Sequence, residues 1–252
     1  MNHAGAMVAG AAATGLLAMV AAGPAVAQDI SISLGEDASL TARSLQLIAL
    51  ITVLSLAPGL AIMITCFPFI ITVLAILRQG IGLQQSPPNM LIVSLALFLT
   101  YFVMEPVFTA AWEQGIEPLL QERIGVEAAL AEALVPFRSF MAARVDPDTF
   151  MAMAALRPDD AAQGAGAAPV PDSPLSVLVP SFLLSEIARA FEVGFLIFLP
   201  FLIIDLVVAA VLMSMGMMMV PPAIVSLPFK LAFFVIADGW TLVAGSLVRG
   251  YF

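Results

Sequence analysis

Histidine and cysteine are almost missing from this chain, with one of each among 252 residues. The histidine, His3, stands outside any interior segment, so the commonest general base and the commonest metal ligand are unavailable to a buried site. The cysteine, Cys66, sits in an apolar run, which excludes an intrachain disulfide framework and a cysteine metal cluster. Charge is scarce too. Asp, Glu, Lys and Arg supply 11% of residues against 62% hydrophobic, and the mean hydropathy is +1.06, whereas soluble domains carry roughly 25% charged residues. So apolar a chain cannot cover its own surface with polar groups, and it is read as a membrane protein.

Other absences narrow the function. The nine Lys and Arg form no run or stripe, so nothing supplies the counterion release that drives nucleic-acid binding. Gly80-Ile81-Gly82 has Gln85 where a dinucleotide loop needs its third glycine, and no Gly-Lys-Ser or Gly-Lys-Thr phosphate loop occurs. Ser181 and Ser214 have no histidine to activate them. The expectation is a protein that is not an enzyme and carries no cofactor and no metal.

What is present divides the chain by composition. Residues 1–27 are rich in Ala, Gly, Val and Leu and end Ala25-Val26-Ala27, the small-x-small pattern of a cleaved signal peptide. The stretch lacks a Lys or Arg near its start, so an uncleaved N-terminal helix is the alternative. Residues 28–44 form a short polar segment. Residues 45–112 read as a first helical hairpin: Leu45 to Leu77 carries no charge and exceeds the roughly 20 residues of one span. Pro58-Gly59 and Pro68 are expected to kink or break it, and Arg78 to Asn89 closes the hairpin. Met90 to Ala111 is the return span, ending at Trp112 and Glu113, or one turn earlier at Glu105-Pro106.

Residues 113–176 hold most of the acids, from Glu113 to Asp172, and form a small helical, acidic, extracytoplasmic insert. Ile116 to Leu134 suggests one amphipathic helix and Phe137 to Leu156 a second, followed by a flexible Ala-Gly-Pro loop over Asp159 to Pro174. Residues 177–252 make a second hairpin around a methionine-rich turn. Arg78 in the short loop votes for a cytoplasmic loop, which puts the Met213 to Pro222 turn on that same side. The fold class is therefore an all-α membrane protein of long kinked hairpins.

The turn is the densest signal. Met213, Met215, Met217, Met218 and Met219 fall within seven residues, with Gly216 to permit a sharp turn and Pro221-Pro222 to stop a helix. Thioether side chains repack around irregular partners, so several copies meeting on an axis would form a compliant apolar constriction that excludes ions by dewetting. Two other readings stay open: core filling, and a Cu(I) site weakened by the lack of His or Cys nearby. Glu186 and Arg189, three apart, share a helix face with Glu192 beyond them; they make either an intersubunit ion-pair girdle or a self-satisfied pair. Asp205 is expected to pair with Lys230 or Arg189, because an isolated buried charge is costly.

Two long motifs, Pro180-Ser-Phe-Leu-Leu-Ser-Glu186-Ile-Ala-Arg189-Ala-Phe-Glu192-Val-Gly-Phe195 and Pro200-Phe-Leu-Ile-Ile-Asp205 through Gly216, closely resemble the FliP family. The likeness continues through Met217 to Pro222, Leu227-Pro-Phe-Lys230 and Asp238-Gly-Trp240. The resemblance implies a pore-forming export-gate subunit of the bacterial inner membrane, within the flagellar basal body, with the insert on the periplasmic side. It implies about five copies around one FliR-like subunit in a helical, pore-forming core, with FliQ-like subunits, other membrane proteins of the export apparatus, and unfolded exported proteins as substrates. The family's methionine gasket maps onto Met217, Met218 and Met219, and its interface glutamate onto Glu186. A proton-coupled transporter or channel centred on Asp205 is the alternative.

Overall fold

The structure is a computed structural model that describes residues 40–83, 87–157, 168–217 and 219–251. The proposed signal peptide, most of the polar segment after it, most of the Ala-Gly-Pro loop, and Met218 lie outside the described residues. The chain divides into two compact units, Met1–Thr52 and Val53–Phe252, and the packing below is that of the second.

Among the described residues every regular element is a helix. They are α1 (Leu40–Met63), α2 (Phe67–Ile81), α3 (Asn89–Ala111), a π turn (Trp112–Ile116), α4 (Glu117–Leu120), α5 (Val126–Arg144), α6 (Pro147–Ala155), α7 (Leu175–Ser214), α8 (Pro222–Ile236) and α9 (Gly239–Arg249). Two stretches, Asn89–Leu120 and Leu175–Ser214, are long and apolar enough to cross a membrane, and α8 with α9 makes a third candidate bent by 61°. The all-α membrane fold expected from composition is the fold observed.

Helix breaks follow the backbone chemistry of particular residues. The backbone of α1 stays helical through Pro58-Gly59, and the break falls at Ile64–Cys66. Pro68 sets it: at the second position of α2 it needs no N–H, but its ring would clash with the carbonyl of Ile64 if the helix were continuous. The return span likewise fails to end at Glu105-Pro106 or at Trp112. It passes through Pro106, widens into the π turn and continues to Leu120, with Glu105 on an exposed face. Residues 116–120 therefore belong to this long helix, while Phe137, Phe140 and Met141 belong to α5, so both insert helices are shifted from the expected boundaries.

The main core is built around α2. Phe69, Ile70, Val73, Leu74 and Leu77 recur on one helical face and are buried against Ile92, Ala96, Val103 and Met104 of α3, with Ala190 and Phe201 of α7 and Phe234, Val243 and Leu247 of α8 and α9. A second cluster joins the insert to the start of α7: Met141, Val145, Phe150 and Ala154 pack on Val177, Leu178 and Phe182. The apolar face of the insert is thus covered by α7, one of the helices long and apolar enough to cross a membrane.

Close approach needs small residues at two places. A Cβ on Gly115, in the π turn, would stand 2.6 Å from the carbonyl oxygen of Ala129 and 2.6 Å from Cβ of Ala133 on α5. Gly194 on α7 faces Ile76 of α2, whose side chain occupies the space a Cβ would need. Overpacking such a contact costs about 1–3 kcal/mol. Gly194→Val is expected to lower the thermal unfolding midpoint of the detergent-solubilised protein, whereas Gly59→Ala, inside α1 with nothing within 4 Å of its Cβ, is expected to hold or slightly raise it.

Candidate functional site

Three constellations identified in the sequence are all organised by α7. At 40 residues and 1.5 Å per residue it is about 60 Å long, roughly twice the hydrocarbon thickness of a bilayer. It runs unbroken through Pro180 and Pro200, although each lacks the N–H an interior helical position would use. Glu186 and Asp205 lie about 28 Å apart along it. The methionine turn follows its end.

Glu186 has no exposed surface, so its carboxylate must be satisfied by the protein. Oε1 accepts from Arg144 Nε at 3.0 Å and from Arg189 Nη1 at 3.3 Å, and Oε2 accepts from the Tyr251 hydroxyl at 2.5 Å. Arg144 also donates from Nη1 to the carbonyl of Gly250 at 2.9 Å and lies 4.0 Å over the Tyr251 ring. Burial first, then the Glu186 charge, pushes the Tyr251 phenol above the ordinary tyrosine range, so it stays a donor. The i,i+3 pair expected from sequence is present, but it is the lesser part. Glu186 faces into its own chain, and the intersubunit girdle would have to use Arg189, 38% exposed, and the exposed Glu192.

Beside this network the corner between α5 and α6 is fixed by short-range chemistry. Asp146 caps α6, its carboxylate accepting from the Thr149 N–H at 2.9 Å and the Thr149 hydroxyl at 2.8 Å, and these bonds hold its carboxyl below the usual carboxylate range. Pro147 takes the first helical position. The Asp146 N–H donates to the Ser185 hydroxyl at 3.0 Å, which donates in turn to the Ser181 carbonyl at 2.7 Å.

Asp205 chooses Lys230 over Arg189. Lys230 Nζ donates to Asp205 Oδ2 at 2.6 Å and to the Gly80 carbonyl at 3.0 Å, and the Ser226 hydroxyl donates to Asp205 Oδ1 at 2.6 Å. One ammonium therefore neutralises a carboxylate on α7 and also satisfies a terminal carbonyl of α2, where the helix dipole favours a cation. Gly82, left-handed at φ 87°, closes α2 in a backbone conformation that favours glycine.

The methionine turn is closed by the backbone. Gly216 is left-handed at φ 74°; its N–H donates to the Met213 carbonyl at 3.1 Å, and the Met217 N–H donates to the Leu212 carbonyl at 3.0 Å. This pair of bonds is a Schellman termination, which needs glycine at the left-handed position. Pro221 then caps α8 in extended conformation and Pro222 opens it. Met213, Met215 and Met217 are exposed, and Met219 is 97% exposed, so in a single chain these side chains fill no core.

Sequence reasoning missed Arg144, Tyr251, Ser226 and the Gly80 carbonyl. Arg144 and Tyr251 are 42 and 65 residues from Glu186, beyond any periodicity. The available signal was a predominantly apolar helix around Glu186, in which a carboxylate needs more partners than one neighbouring arginine.

The FliP family model matches residues 50–247. The flagellar biosynthetic protein FliP of Caulobacter vibrioides is 52% identical to this chain over 226 residues, covering 88% of this chain and 82% of that protein. The protein of that name from Rhizobium meliloti is 47% identical over 246 residues, covering 95% and 98%. That from Bacillus subtilis is 41% identical over 225 residues, covering 88% and 98%.

Lys230→Met would strand the Asp205 carboxylate. The expected loss is about 1–3 kcal/mol, below the roughly 3–5 of a fully buried pair because solvent reaches Asp205. Chemical or thermal unfolding in detergent should find the double variant Asp205→Asn/Lys230→Met more stable than Lys230→Met alone.

Proposed function

The chain belongs to the FliP family, and from that premise we propose that it is a pore-forming subunit of a flagellar protein export gate. Its copies form a ring with FliQ-like and FliR-like subunits in the bacterial inner membrane, and unfolded substrates pass along the axis. The protein is not an enzyme: it provides the path and the seal, and energy comes from the ion gradient or from other components. Its relatives carry the name flagellar biosynthetic protein.

The observation that carries this reading is the turn at Gly216, which presents Met213, Met215, Met217 and Met219 to the outside of the chain. Exposed thioethers gathered on one turn are costly in water and compliant against apolar partners. Brought together by symmetry, the turns form a gasket that dewets when closed and deforms around a passing chain. The outer face of α7 that leads to the turn, with Ile203, Leu206, Val207 and Val211 exposed, is an apolar surface suited to lipid or to a neighbouring copy.

The same geometry supports an orientation. Ala223, at the start of α8, lines one cavity with Arg78, Gly82 and Asn89 of the short loop, so the methionine turn and that loop share one end of the helices. With Arg78 on the cytoplasmic side, the turn is cytoplasmic and the insert over residues 113–176 is periplasmic. The transporter alternative requires a proton-accepting Asp205, whose two oxygens are already held by Lys230 and Ser226.

Replacing Met217, Met218 and Met219 with alanine is expected to raise ion conductance across membranes containing the assembled complex. Native mass measurement should show the ring unchanged. An intact ring with unaltered conductance would remove the gasket; a species containing a single copy would remove the pore.

A further inference from the structure

Two residues after α9 touch three separate helices. The Gly250 carbonyl accepts from Arg144 of α5. The Tyr251 hydroxyl donates to Glu186 of α7, while its ring lies edge-on to Phe69 of α2 at 5.6 Å and stacks on Phe140 of α5 at 6.2 Å. We infer that Gly250 and Tyr251 form a strap that positions Arg144 on Glu186, and that the docking of α6 depends on this strap although the strap does not reach α6.

The argument begins with the guanidinium. A single bond from Nε to a carboxylate leaves an arginine free to swivel, and its long stem carries much rotamer freedom. Here the Gly250 carbonyl takes Nη1 and the Tyr251 ring covers the guanidinium face at 4.0 Å, so two of the three restraints on the group come from the strap. The strap also fixes the acceptor. With Oε1 turned to the arginines and Oε2 to the Tyr251 hydroxyl, the carboxylate has one orientation.

Arg144 is the last residue of α5, and α6 begins three positions later. Wherever Arg144 is held, the Val145-Asp146 corner is held, and the Asp146 N–H reaches Ser185, the neighbour of Glu186. At nine residues, α6 is too short to persist unaided. It survives by seating Phe150 and Ala154 on Val177, Leu178 and Phe182, and that seat exists only in the register set by the corner. Tyr251 is thus a positioning residue acting through Arg144, independently of the methionine turn.

Hydrogen exchange on the full chain in detergent tests this at the amides of Thr149 to Ala155. Tyr251→Ala is expected to lower their protection about tenfold, Tyr251→Phe to lower it less, and Tyr251→Phe combined with Arg144→Gln to lower it no further than Arg144→Gln alone. That non-additivity separates positioning from general loss of packing. Unchanged α6 protection in Tyr251→Ala would overturn the strap, as would single effects that multiply in the double variant. Should the alanine variant fail to accumulate, the cycle between Tyr251→Phe and Arg144→Gln decides alone.

Discussion

A carboxylate without exposed surface is the constraint from which much of this architecture follows. Glu186 sits in the middle of a helix whose composition suits hydrocarbon, where an unpaired charge would be prohibitive. Its neutralisation requires Arg144 from the insert, Arg189 from its own helix and Tyr251 from beyond α9. Such a network contributes little net stability compared with well-packed apolar residues, but breaking any part of it is costly. It therefore selects one arrangement of three chain segments over others of equal hydrophobicity.

The second charged cluster does the same work with different chemistry. Asp205, Lys230 and Ser226 tie α7 to α8, and the Lys230 bond to Gly80 adds the end of α2. Both clusters lie on one long helix, one beside the insert and one toward the methionine turn. Apolar faces between helices slide easily because most registers bury similar area; two ionic pins about 28 Å apart remove that freedom. The turn beyond them is in turn fixed by backbone bonds, with the side chains of Met213, Met215, Met217 and Met219 exposed. A rigid frame presenting a soft edge agrees with the seal proposed above.

Much of the fold was legible in the residues themselves, because helix, turn and membrane character are local properties. Gly216 is expected to turn the chain and Pro221-Pro222 to stop the preceding helix; in the structure the Gly216 turn ends α7 at Ser214, and the prolines instead open α8. Cost alone demanded a cation beside Asp205 but left Lys230 and Arg189 both open. The helix boundaries were less legible where proline was the only guide: Pro58-Gly59 and Pro106 sit inside helices, while Pro68 opens one. Proline restricts the backbone equally in all these places, and surrounding contacts decide whether a helix absorbs the lost bond. The insert was misjudged for a related reason, since its apolar face is completed by Val177, Leu178 and Phe182 of α7 rather than by its own helices.

By themselves, the residues determined that this chain is helical, belongs in a membrane, turns at Gly216 and must neutralise its few interior charges, because each of these follows from hydropathy, backbone geometry or the energy of a lone ion. Tertiary structure alone decided that Arg144 and Tyr251 meet Glu186, that Lys230 reaches the end of α2, and that the insert leans on α7. Those contacts join segments tens of residues apart, and which residues meet is a property of the packed chain that no local pattern encodes.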